Sequence, residues 1–393
     1  MERIGIFGGS FDPPHIGHIH AARAAVQALQ LDSLLMVPTG IAPHKAQPSN
    51  QPTPQQRLAM LQIACRGETT LQPSNLEIAR GGVSYTWETV AQVRQAHPDA
   101  EIFLLMGSDM FLSFHNWKYP EKILENATLG VFYRGEKGEK AKVETRKAEL
   151  EAAGHRVALI EHDVVNISST QLRRLLAFHC ADEFLCAGVG EYIRQNGLYH
   201  VNANWQHLPM EQLESIVISL LKPNRVKHVL GCRDTALALA RHWGVDETDA
   251  ARAGILHDIT KALDGPLQLT LCREYGKILS DFSRRYPKTL HALTGSLVAE
   301  RIFGENKAVV SAIESHTTGK AAMNMLEKII YVADYMEPNR DFPGVEKLRE
   351  LAFSDMDGAL KLGLEMTLEH LARLGDEVSP ESREALAYLG VMV

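Results

Sequence analysis

The chain has 393 residues, 45% apolar and 23% charged. That predicts about two to three globular domains, with enough apolar residues for more than one core. The net charge of −7 argues against a general nucleic-acid footprint, so any phosphate must be held by local basic clusters and backbone amides.

Five cysteines, Cys65, Cys180, Cys186, Cys232 and Cys272, form no CxxC pair. A zinc ribbon and a disulfide framework are therefore not expected. The N-terminus opens into a strand-like run with no basic segment before an apolar core, so no secretory signal is expected. The longest apolar stretch, Ile216 to Leu221, is far too short for a bilayer. The expected setting is a reduced cytoplasm, with neither membrane nor nucleic acid as partner.

In chain order, residues 1 to about 200 alternate short apolar runs with helical patterns. Arg3 to Phe7, Leu34 to Val37, Ile102 to Met106, Leu129 to Tyr133 and Val157 to Ile160 read as buried parallel strands. Gly17 to Leu31 and Thr86 to Ala96 read as helices between them. This is βαβ logic, and it predicts an α/β Rossmann-like, doubly wound parallel sheet. Glu136 to Glu151 is rich in Lys and Glu and reads as a solvated helix with paired charges. From Pro209 onward no strand pattern is present. Glu211 to Leu221, Arg225 to Trp243, Asp249 to His257, His291 to Phe303, Lys307 to His316 and Leu326 to Met336 read as helices, so an all-α bundle is expected. The division is 1–200, a linker at 201–208, and 209–393. Apolar helix faces in the second half leave homo-oligomerisation open.

The first strand runs into Gly8-Gly9-Ser10-Phe11-Asp12-Pro13-Pro14-His15-Ile16-Gly17-His18. Two glycines after a strand let backbone amides approach a phosphate. His15 and His18 fall three apart at a helix start, on one face. A helix N-terminus favours anions, so two imidazole donors there suit a triphosphate. Gly17 between them is expected to leave room for the substrate. A Gly-Gly pair alone is only a turn; the whole string carries the reading. Far along the chain, Ile167-Ser168-Ser169-Thr170-Gln171-Leu172-Arg173 places capping hydroxyls and an arginine at another helix start.

These strings resemble the HxGH nucleotidyltransferase superfamily and, within it, bacterial nicotinate mononucleotide adenylyltransferase. Pro43-His44-Lys45, Ser84-Tyr85-Thr86, Gly107-Ser108-Asp109, Trp117, Tyr133-Arg134, Tyr192-Ile193 and Asn196-Gly197-Leu198-Tyr199 share the likeness, which covers residues 1 to 200; Ala42 stands where the family usually has proline. The resemblance implies transfer of AMP from ATP to nicotinate mononucleotide, with Mg2+ and release of pyrophosphate. It implies that Gly8, Gly9, Ser10, Phe11, His15, His18, Gly107, Asp109, Ile167, Ser168, Ser169, Thr170 and Arg173 hold ATP and its phosphates. Lys45, Ser84, Tyr85, Thr86, Trp117 and Arg134 would border the nicotinate nucleotide. His15, His18, Lys45 and Arg173 would stabilise charge on the transferring group. Phosphopantetheine or nicotinamide mononucleotide is the alternative acceptor.

The second half carries dispersed signals. His-Asp occurs twice, at His162-Asp163 and His257-Asp258. On the order of one such pair is expected by chance, so the dipeptide alone means nothing. His257-Asp258 is accompanied by His228, His291, His316 and Asp334, each on a helical segment. Helical scaffolds build metal sites this way. Six N/O donors without a thiolate suit one or two first-row ions such as iron, manganese or cobalt, with Asp258 able to bridge two. The pattern resembles the HD-domain phosphohydrolases. With His316-Thr317-Thr318-Gly319 and the segment Ala333 to Val345, it is similar to the bacterial symmetrical diadenosine tetraphosphate hydrolases of that class. This likeness covers about residues 210 to 393. It implies hydrolysis of diadenosine tetraphosphate to two ADP at an iron centre held by the six residues, with Asp258 central to catalysis. Arg225, Lys261 and Arg340 would contact substrate phosphates. The alternatives are another HD phosphohydrolase, acting on a dNTP, guanosine tetraphosphate or a cyclic nucleotide, and a non-catalytic regulatory module.

Overall fold

The computed structural model describes residues 1–41, 51–133, 138–161, 165 and 167–391. The chain forms two compact units, Met1–Ala203 and Asn204–Val393.

The first unit is built on six parallel strands: β1 (Arg3–Gly9), β2 (Ser33–Pro38), β3 (Leu71–Pro73), β4 (Glu101–Gly107), β5 (Thr128–Tyr133) and β6 (Val157–Glu161), in the order β3-β2-β1-β4-β5-β6. Ile6 lies opposite Leu35 on one side and Leu104 on the other. The apolar runs are continuous because both faces of the sheet are covered. Ile102, Leu104 and Met106 of β4 join Val90 and Val93 of the Thr86–Ala96 helix in one core. Phe103 and Leu105, pointing the other way, join Ala21, Ala22, Ala25 and Leu29 of the Ile16–Leu29 helix in a second. The five longer strands fall where their apolar runs predict. β3 has three residues and ends in proline, too short to leave an alternation in the sequence. The Glu139–Ala152 helix is solvated and carries the Arg146–Glu149 and Lys147–Glu151 pairs.

Strand order reverses between β1 and β4. The chain moves outward from β1 to β2 and β3, then returns to build β4, β5 and β6 on the opposite side. The two C-terminal strand ends at this point, Gly8-Gly9 and Gly107, therefore border a crevice, the place where open α/β sheets bind ligands.

The second unit has no strand among its described residues. Helix Val226–Trp243 packs on Glu247–Leu256 and Met325–Met336, and Leu290–Arg301 packs on Lys307–Ser315. Polar residues cap several starts: Asp246, Asp264, Asn306, Asn324, Asp355 and Ser379 each accept a backbone N–H of the first turn. Val345–Ala352, Met356–Leu374 and Pro380–Tyr388 add three helices after the last one the periodicity identified. No helix of the described residues is long and apolar enough to cross a membrane.

Each unit has its own core, so fragments 1–203 and 204–393, made separately, should each unfold in a cooperative thermal transition. Loss of the transition in either fragment would show that its core is incomplete.

Candidate active sites

The two distant strings of the first unit meet. Ser168 caps the Ser169–Ala177 helix and accepts from Gln171 N–H. That helix start docks on the loop after β1. Ser169 Oγ donates to Pro13 O at 3.3 Å, and Arg173 donates to Asp12 O at 2.7 Å and to Thr170 Oγ1 at 3.1 Å. A cavity of about 520 Å³ is lined by His15, His18, Gly107, Asp109, Ile167, Ser168 and Ser169. A Cβ on Gly8 would meet nothing within 4 Å, whereas one on Gly107 would strike the Asp109 carboxylate, which folds back over it.

The two imidazoles lie 3.7 Å apart between centroids, tilted by 36°. His18 Nδ1 accepts the His15 backbone N–H at 3.2 Å. The proton of neutral His18 therefore belongs on Nε2, as a donor. Phe11 packs edge-on against His18 at 5.0 Å. Burial lowers His15 from its ordinary 6.5 to about 4. His18 is pushed well down, by burial first and by His15 second. Gly17 differs from expectation. A Cβ there would lie 3.0 Å from His15 Nδ1, so the space it leaves is taken by the His15 ring.

The residues expected at the acceptor side stand elsewhere. Ser84 is buried and accepts Gly40 N–H at 3.1 Å. Tyr85 precedes the Thr86–Ala96 helix, with the Lys118 ammonium 3.9 Å from its ring centre. Trp117 packs on Phe114 at 5.4 Å. None of Ser84, Tyr85, Thr86 or Trp117 lines the cavity beside His15 and His18. Lys45 and Arg134 lie outside the described residues, as does His162-Asp163.

Three further residues support this site. Asp12 accepts the Tyr199 hydroxyl at 2.6 Å and faces Arg173 at 3.5 Å. Arg57 is buried and donates to Ser10 O at 2.7 Å and to the carbonyls of Thr39 and Gly40. Asp12 and Tyr199 lie within the strings already singled out. Arg57 leaves no trace in the sequence, because its partners are backbone carbonyls.

The six dispersed residues of the second unit converge. His228 is the third residue of Val226–Trp243, His257-Asp258 follows Glu247–Leu256, His291 opens Leu290–Arg301, His316 follows Lys307–Ser315, and Asp334 lies in the last turn of Met325–Met336. His228 Nε2 is 3.3 Å from His257 Nε2 and 3.1 Å from Asp334 Oδ1. Asp258 faces both sides. Its Oδ2 is 3.6 Å from His257 Nε2 and 3.7 Å from His228 Nε2, and its Oδ1 is 3.6 Å from His291 Nε2 and 3.9 Å from His316 Nε2.

The Nδ1 atoms are tethered. Those of His257, His291 and His316 donate to the carbonyls of Gly254, Lys288 and Ile313 at 2.8, 2.9 and 2.7 Å. That of His228 meets Glu337 Oε1 at 3.1 Å. Burial lowers His257 and His291 well below the usual range and His316 to about 4. Burial opposes ionisation of Asp334, yet the hydrogen bond with His228 and the Arg340 guanidinium hold its carboxyl well below the usual range. Three imidazoles kept neutral by burial, His257, His291 and His316, turn Nε2 inward beside His228 Nε2 and two carboxylates, and this donor set without a thiolate fits a first-row metal ion.

Arg225, Lys261 and Arg340 surround these donors. Arg225 pairs with Asp258, Arg340 donates to Asp334 Oδ1 at 2.6 Å, and Lys261 Nζ is 2.9 Å from His291 Nε2. Thr317, which sequence reasoning quoted without a role, has its hydroxyl 3.0 Å from His291 Nε2 and 3.1 Å from His316 Nε2.

A cytidylyltransferase-like family model matches residues 6–175, and an HD domain model matches 225–339. A Mycoplasma pneumoniae protein named "Probable nicotinate-nucleotide adenylyltransferase/Ap4A hydrolase" is 31% identical over 382 residues, covering 94% of this chain and 99% of its own. A Neisseria meningitidis serogroup B "Probable nicotinate-nucleotide adenylyltransferase" is 35% identical over 205 residues, 51% of this chain and 99% of its own. A Halalkalibacterium halodurans "Bis(5'-nucleosyl)-tetraphosphatase, symmetrical" is 39% identical over 171 residues, 42% of this chain and 90% of its own. Fold, donor set and family models together define a nucleotidyltransferase-type α/β unit joined to an HD-domain unit. The chain belongs to the family of bifunctional nicotinate-nucleotide adenylyltransferase/Ap4A hydrolases, which the full-length Mycoplasma relative represents.

His15 titrates near 6.5 in the unfolded chain and near 4 in the folded one. The unfolded state takes up the proton first, so this stability is whole above pH 6.5 and is lost as pH falls toward 4. Thermal melts over that range should fall more steeply for the wild type than for His15→Asn; parallel curves would contradict the burial. Arg57→Met leaves three carbonyls without their donor and should cost the first unit roughly 1–3 kcal/mol in denaturant titrations.

Proposed function

We propose that the first unit, with the catalytic region within residues 1–200, transfers AMP from ATP to nicotinate mononucleotide. The acceptor's phosphate oxygen bonds to the α-phosphorus of ATP, the bond to the β-phosphate oxygen breaks, and pyrophosphate leaves with the electron pair. No protein nucleophile is needed, so the chain's task is to position two anions and answer charge on the leaving group. His18 Nε2–H is available as a donor into the cavity, beside the amides at the start of Ser169–Ala177. Arg173 is held by Asp12 and Thr170 at the same helix start, where it answers charge on the β- and γ-phosphates. Magnesium, when bound, screens those phosphates. Lys45, Ser84, Tyr85, Thr86, Trp117 and Arg134 are proposed for the acceptor.

The second unit, within 209–393, is proposed to hydrolyse diadenosine tetraphosphate with one water to two ADP, by cleavage between the two central phosphates. The observation that carries this is the convergence of His228, His257, Asp258, His291, His316 and Asp334 with their Nδ1 atoms tethered. These residues would hold one or two ions, with iron proposed, and Asp258 would serve both because its two oxygens face different histidine pairs. Bound ions supply Lewis acidity and a water of lowered pKa. Arg225, Lys261 and Arg340 are cations at the same centre, suited to substrate phosphates once a metal takes the Asp258 and Asp334 carboxylates and the His291 ring they now touch. None of the five cysteines forms a disulfide, which supports a reducing, cytoplasmic setting.

Paired variants test both assignments in one chain. His257→Ala should lose metal and tetraphosphate hydrolysis while adenylyl transfer stays at the wild-type rate. His18→Ala should slow adenylyl transfer about 10²- to 10³-fold and leave hydrolysis unchanged. Retained metal and hydrolysis in the first variant, or undiminished transfer in the second, would refute the corresponding site.

A further inference from the structure

Glu337 lies outside the six donors and is 1% exposed. One oxygen meets His228 Nδ1 at 3.1 Å. The other accepts the Asn339 backbone N–H at 2.7 Å and its side-chain amide at 2.8 Å. The turn that carries Glu337 is clamped by Arg349, which donates to the carbonyls of Met336, Glu337 and Arg340. Gly231, one turn beyond His228, makes the room. A Cβ there would overlap the Glu337 carboxylate and approach Asn339 Nδ2 to 3.1 Å.

The other three histidines donate from Nδ1 to a neutral carbonyl three residues earlier in the chain. His228 alone among the four donates to a carboxylate, and that carboxylate comes from a different segment. A hydrogen bond to an anion is charge-assisted, and it raises the basicity of the other ring nitrogen, here the one facing the site. Formal charges elsewhere at the centre offset one another: Arg225 pairs with Asp258 and Arg340 with Asp334. No arginine or lysine pairs with Glu337 among the described residues; its ion-pair partner is His228. Beside His291, by contrast, stands the Lys261 ammonium.

We infer that Glu337 is a positioning residue that orients His228 and strengthens it as a donor, so that the His228–His257–Asp334 group holds its ion more tightly than the His291–His316 side. This rests on the metal centre proposed above. The metal-loaded full-length protein is mixed with excess chelator and metal release is followed in time. The wild type should release metal in two phases. Glu337→Gln keeps the shape and one acceptor but removes the charge. It should accelerate the slow phase about 10- to 100-fold, leaving the fast phase unchanged. Gly231→Ala displaces the carboxylate without changing its chemistry and should move the same phase. Unchanged release in Glu337→Gln would overturn the inference. So would acceleration of both phases together with a lower metal-free midpoint, the signature of a merely structural role. A wild type that binds no metal would overturn the metal centre itself, and this inference with it.

Discussion

The tautomer of a buried imidazole is fixed by what its Nδ1 touches, and in this chain that contact decides whether the other nitrogen meets an anion or a cation. His18 Nδ1 accepts a backbone N–H, so Nε2 carries the proton and suits a phosphate oxygen. His257, His291 and His316 donate from Nδ1 to backbone carbonyls, so Nε2 keeps its lone pair and suits a metal. Burial keeps all four neutral, by lowering each below its ordinary value. One residue type thus serves two chemistries, according to the local backbone.

The same logic answers a charge problem. A chain of net charge −7 must hold polyphosphates without a broadly basic surface. In the first unit the compensation is proposed to come from a helix start, an imidazole donor and Arg173, which Asp12 fixes in place. Tyr199 holds Asp12 from the far end of the unit, so the last residues of the domain help to set the geometry of its first loop. In the second unit, nitrogen and oxygen donors from five helical segments converge into a set proposed to hold cations, and three basic side chains already stand around them. Both solutions concentrate positive charge locally, on a few side chains and helix starts, in place of a basic surface.

Much of this was legible because it was local. Strands buried on both faces leave continuous apolar runs, and the loop after β1 is a contiguous string. The six converging residues of the second unit were legible as residue types on helical segments, although their distances were not. Contacts made through backbone or across the fold were illegible. Arg57 binds three carbonyls, which no pattern of side chains can announce. Glu337 reaches His228 across 109 residues, a separation at which no local pattern links the two. Gly17 was read as space for substrate, but the His15 ring fills it. Ser84 Oγ accepts Gly40 N–H, a contact made through backbone that no side-chain pattern announces.

Product analysis on the purified full-length chain tests the account most directly. ATP and nicotinate mononucleotide with magnesium should yield nicotinate adenine dinucleotide and pyrophosphate. Diadenosine tetraphosphate with iron(II) or manganese should yield ADP as the sole nucleotide. Absence of the dinucleotide, or a tetraphosphate split into ATP and AMP, would contradict it.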